Sequence, residues 1–185
     1  ISINESLEHA AYSLGYKARI KYIQAENLDV ESLKEYQGIL VPGGFGNRGV
    51  EGKIAAIKYA RENKIPFLGI CLGMQLAVVE FARNVLGYTD ANSSELDENT
   101  THPVIHIMED QKYIEKMGGT MRLGAYPCIL GDGTLAKELY ESKEISERHR
   151  HRYEYNNIYR EELEKAGLKV SGTSPDNTLV EIVEL

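Results

Sequence analysis

The chain has 185 residues, 42% hydrophobic and 26% charged, which suits one domain with a sizeable core. Its 21 basic and 28 acidic residues leave a net charge of −7, which counts against a general nucleic-acid binder; no apolar run reaches membrane-spanning length, and no signal-peptide pattern opens the chain. Two cysteines, Cys71 and Cys128, are too few for a disulfide framework, and a reducing cytoplasm is their natural setting.

In chain order, Ser6 to Leu14 predicts a helix with Leu7, Ala10, Ala11 and Leu14 on one face, and "ARIKYI" (18–23) alternates like a strand. "GILV" (38–41) has the unbroken apolar character of a buried parallel strand. "KIAAIKYARENK" (53–64) is an amphipathic helix, "IPFLGI" (65–70) a second buried strand and "MQLAVVEFARNVL" (74–86) a second helix. This strand–helix alternation predicts an α/β domain, a parallel sheet covered on both faces. The polar stretch 87–103 reads as a loop. Strands are expected at 104–107, 120–125, 168–173 and 178–184, with a helix over 158–166 closed by Gly167. Opening on a helix and stopping after a strand, the chain reads as a doubly wound domain clipped at both ends.

"LGICLGMQ" (68–75) carries the chemistry. Gly69, Cys71 and Gly73 form G-x-C-x-G between a buried strand and a helix, the context of a nucleophile elbow. A sharp turn there lifts the Cys71 sulfur above the sheet, and the positive end of the following helix favours its thiolate. The Leu72 N–H is then placed to stabilise an oxyanion. A buried structural cysteine among incidental glycines is the plainer alternative.

The upstream stretch "GILVPGGFGNRGVEGK" (38–53) holds a G-x-G-x-x-G at Gly44, Gly46 and Gly49. A dinucleotide site needs an acidic residue at the end of the next strand, and here that strand delivers Cys71. A phosphate loop fails too, because Asn47 and Ile54 stand where Gly and Ser or Thr belong. Loops at the ends of neighbouring parallel strands share one crevice, so Gly43 and Gly44 are instead expected to offer a second backbone N–H to the oxyanion.

"ERHRHRYE" (147–154), if extended, puts Arg148, Arg150 and Arg152 on one face and His149 and His151 on the other. Three arginines in a row call for anions or acidic groups opposite. Metal binding by the two histidines lacks further ligands at suitable spacing, and no metal is assigned.

The run "VPGGFGNRGVEGKIAAIKYARENKIPFLGICLGMQ" resembles the triad-type, class-I glutamine amidotransferases. "RGVEGK" (48–53), "MGGTMRLGAYPC" (117–128) and "ISERHRHRYEYNN" (145–157) narrow the likeness to C-terminal amidotransferase domains of the CTP synthase family. The resemblance implies a flavodoxin-like doubly wound, mostly parallel sheet, and glutamine hydrolysis through a Cys71 thioester. Ammonia would pass to a synthetase domain that aminates ATP-activated UTP, with ATP and Mg²⁺ held there and no cofactor in this domain. Carried over by position, Gly44 and Leu72 match the oxyanion donors. Gln75 and Glu95 match residues that hold the glutamine, Glu95 at its ammonium group. Arg152 matches the arginine paired with its carboxylate, and Phe45 belongs with the substrate loop. Arg48, Gly49 and Glu51 match positions linked to GTP, the allosteric activator, and the full enzyme is expected to be a homo-oligomer. In this family the base and orienting acid come from an "HPE" motif expected beyond Leu185, and a first strand is expected before residue 1. On these grounds the 185 residues are expected to be an incomplete amidotransferase domain. Another cysteine hydrolase on the same elbow, such as a γ-glutamyl hydrolase or peptidase, and a non-catalytic interaction module are the alternatives.

Overall fold

The computed structural model describes residues 2–107 and 122–185. The site is built on a β–α–β–α unit: β1 (Ile39–Val41), α2 (Val50–Asn63), β2 (Phe67–Gly69) and α3 (Leu72–Asn84). β1 and β2 pair in parallel, Ile39 opposite Phe67 and Val41 opposite Gly69, with α2 as the crossover that parallel strands require. In α3, Leu76, Val78, Val79 and Ala82 are fully buried. Glu80, equally buried, is neutralised by a two-pronged contact from Arg61 of α2, with Nη2 to Oε1 at 2.8 Å and Nε to Oε2 at 2.9 Å. The core gathers Val41, Ile54, Ile57, Leu72, Leu76 and Phe81 with Val104, Ile105, Tyr155 and Leu163 from later segments.

Two further sheets follow. β3 (Asn92–Ser93) runs parallel to β4 (Pro103–Ile107), and β4 pairs antiparallel with β7 (Tyr153–Tyr155). The other sheet is wholly antiparallel, in the order β6 (Glu144–His151), β5 (Arg122–Leu130), β8 (Lys169–Thr173), β9 (Val180–Glu184). Helix α5 (Arg160–Ala166) precedes β8 and ends at Gly167, whose φ of 116° provides the left-handed C-cap. The class is α/β, as the sequence predicts, but among the described residues parallel pairing is confined to β1–β2 and β3–β4.

Several elements depart from expectation. Residues 18–23 form no strand: alternation is there, but a strand needs a partner edge, and no described strand pairs with them. The first helix, α1 (Ser2–Ser13), forms yet buries none of its residues. β2 is only half covered, Leu68 keeping 54% of its surface exposed. The loop predicted over 87–103 contains the two-residue β3, and α4 (Leu135–Tyr140) went unpredicted because six residues are too few to show a helical period. Of the strand expected at 120–125, residues 122–125 lie in β5 and 120–121 lie outside the described residues, as does 117–121 of "MGGTMRLGAYPC".

Candidate active site

The elbow forms as the glycine spacing predicts. Cys71 caps α3 with φ 54° and ψ −108°, a strained conformation for a side-chain-bearing residue. Close packing of small residues makes the turn possible. A Cβ on Gly73 would sit 2.0 Å from the Val41 carbonyl oxygen, and one on Gly69 would sit 2.6 Å from the Gly73 carbonyl carbon. Only glycine lets β1, β2 and the first turn of α3 approach so closely. Cys71 is left partly exposed while Leu72 behind it is buried.

The glycine loop after β1 lies against the elbow. A Cβ built on Gly43 would be 3.9 Å from the Cys71 sulfur, and one on Gly44 would be 3.6 Å from Leu72 Cδ2. As the first residue of α3, Leu72 has an N–H with no carbonyl four residues back inside the helix, so this donor is available to an oxyanion.

Cys71 opens onto a cavity of about 300 Å³ lined by Gly44, Phe45, Gln75, Glu95, His151, Arg152 and Tyr153. That volume is at the lower end of the roughly 300–1,000 Å³ typical of small-molecule sites. All the residues expected to hold the substrate are therefore brought together. Gln75 is fixed by donating from Nε2 to the Tyr153 carbonyl at 2.9 Å. Partial burial pushes the Glu95 carboxyl above the usual carboxylate range, against the opposing pull of the Arg152 guanidinium. A larger open depression of about 630 Å³, lined by residues such as Leu135, Lys137, Glu138 and Lys143, has no cysteine in its lining. Cys128 is no rival either: it is buried, and burial pushes its thiol up to about 11.

Arg152 arrives by a route that alternation does not predict. Along β6, His149 and His151 point inward while Arg148 and Arg150 are exposed, as expected. The chain then bends at Arg152 before β7, and the bend brings His151 and Arg152 into the same cavity rather than onto opposite faces. His151 and Tyr153 were not predicted to line the site. Their adjacency to Arg152 was a signal, but only the bend gives it meaning.

Arg48, Gly49 and Glu51 do not line this cavity. Arg48 hydrogen-bonds Glu26 of the 3-10 turn Ala25–Asn27, and Glu51 accepts from Arg83 Nη1 at 3.0 Å. Gly49 caps α2 on the same side.

The sequence profile of the class-I glutamine amidotransferases matches residues 1–185, and the chain belongs to that family. Among its curated relatives, CTP synthase of Clostridium beijerinckii is 60% identical over the whole chain and CTP synthase of Fibrobacter succinogenes 61%. The chain spans 35% and 33% of those two proteins, about a third of their length. A solved glutaminase domain of Trypanosoma brucei CTPS with bound acivicin superposes with a TM-score of 0.93 at 42% identity, covering 99% of this chain and 74% of that one.

Proposed function

We propose that the chain is the glutaminase part of a CTP synthase, and that its cavity hydrolyses L-glutamine to supply ammonia. The carrying observation is the meeting, in one small cavity, of a cysteine on a strained elbow with an acid and an arginine suited to the two charged ends of an amino acid. Glutamine lies with its ammonium group at Glu95 and its carboxylate at Arg152, whose planar fork suits two-point contact. The elevated Glu95 gains a cation there, which offsets the cost of its burial. Gln75 and Phe45 confine the side chain. The Cys71 thiolate attacks the amide carbon, the oxyanion takes the N–H groups of Gly44 and Leu72, ammonia leaves, and water cleaves the thioester. The 42%-identical relative carries acivicin in its glutaminase domain, which supports a substrate-sized site here.

The whole protein's roles follow as part of the same reading. A synthetase domain holding ATP and Mg²⁺ receives the ammonia, the base and its orienting acid come from a following "HPE" segment, and the assembly is a homo-oligomer in the cytoplasm. The complete domain is flavodoxin-like, with β1 and β2 among its central parallel strands. GTP acts at Arg48, Gly49 and Glu51, and the ion pairs of Arg48 and Glu51 tie the start of α2 to neighbouring segments. In the full-length protein, Cys71→Ala abolishes glutamine-dependent CTP formation and keeps the ammonia-dependent reaction. Equal loss of both overturns the assignment.

A further inference from the structure

One group at the nucleophile has no part in the scheme above. The His151 imidazole lines the same small cavity as the Cys71 sulfur, and the two side chains interact electrostatically. Its Nε2 is also 2.9 Å from Glu154 Oε1, and its side chain is only 14% exposed. Glu154 is held in turn: Arg122 Nη1 donates to Glu154 Oε1 at 3.2 Å, while Arg122 Nη2 donates to Glu181 Oε1 at 2.8 Å. Glu154, Glu181 and Arg122 are 5%, 4% and 9% exposed at their side chains. Two carboxylates sharing one guanidinium leave an uncompensated negative charge in a buried place, and such a charge demands a further cation.

His151 is placed to be that cation. Burial alone pushes its imidazole down, but its interactions with Cys71 and Glu154, including the charges of both, overcome this and push it up to about 9. Around it stand Arg122 from β5, Glu154 from β7, Glu181 from β9 and His149, whose ring centre is 5.1 Å away. Burial pushes His149 down, so the positive charge of the pair belongs to His151. Arg152 and Glu95 complete the charged lining of the cavity.

We propose that His151, anchored by Glu154, is a positioning residue for Cys71: a charged imidazolium that holds the sulfur in the cavity and steadies its negative charge before attack. It is not the general base, because an imidazolium has no lone pair with which to accept a proton. The proposal rests on Cys71 being the nucleophile. It extends the active site along an ion network running from the elbow to β9, at the far end of the chain.

The test is alkylation of Cys71 by iodoacetamide in the full-length protein, followed by mass spectrometry of the Cys71 peptide from about pH 5 to about pH 10. Removing a neighbouring positive charge makes the thiolate harder to form. His151→Gln therefore moves the half-maximal pH upward by about one unit and slows alkylation at neutral pH about tenfold. Glu154→Gln acts in the same direction to a smaller extent, and the exposed Arg150→Gln leaves the profile in place. Native protein gives a second measurement that needs no variant. By reciprocity, blocking the sulfur lowers the titration midpoint of His151 followed by its ring-proton NMR signal. A His151→Gln profile that overlays the native one overturns the proposal, as does a His151 midpoint indifferent to the blocked sulfur. Either result leaves the nucleophile assignment standing, provided Cys71→Ala still abolishes glutamine-dependent turnover.

Discussion

The two walls of the cavity are made by opposite means. The elbow wall, from β1 to α3, is apolar and local: glycines at fixed offsets admit a close approach, and buried leucine and valine hold it. The opposite wall, from β6 to β7, is polar and assembled over long separations, with Arg122 reaching residues 32 and 59 positions away. Sterics decide where the nucleophile stands, and charge decides what surrounds it. Damage to the first wall should therefore be felt as loss of shape, and damage to the second as loss of charge balance.

Variants can separate the two. The largest effect is expected from Arg122→Met, which strands Glu154 and Glu181 without their shared cation and costs about 3–5 kcal/mol in denaturant unfolding. A loss below about 1 kcal/mol would show that His151 alone suffices to balance the wall. Gly73→Ala comes next on the other wall, at about 3 kcal/mol, because its methyl would meet the Val41 carbonyl and prise β1 from α3. The comparison sharpens with pH. The His151 imidazole is raised from its ordinary range to about 9, so its contribution to stability is whole below about pH 6.5 and is lost as pH climbs through about 9. At about 1.4 kcal/mol per pKa unit this is roughly 3 kcal/mol, and His151→Gln should flatten that part of the stability curve. Arg152→Lys keeps the charge but loses the planar fork, and is expected to raise the KM for glutamine about 10- to 100-fold with little change in melting temperature.

The elbow was legible in the sequence because backbone sterics write themselves as Gly at positions 69 and 73 around Cys71, a signal five residues long. The substrate residues Gln75, Glu95 and Arg152 came from resemblance rather than from any pattern of their own. His151 and its carboxylate were not legible as a unit. Their meeting with Cys71 depends on the antiparallel pairing of β5 with β6 and on a bend at one residue, neither of which has a local signature. The segment 18–23 teaches the converse, since alternation marks an extended chain but only a partner edge makes it a strand.

The pairing of β5 with β6 runs from Arg122 opposite His151 to Ile129 opposite Glu144. Slippage by a single step would turn every inward side chain of β6 outward, sending both histidines to solvent and arginines inside. Such a molecule would keep its elbow and most of its core, yet present a misassembled mouth to glutamine. Zippering in the correct frame is thus a checkpoint for competence, separate from whether the chain has collapsed.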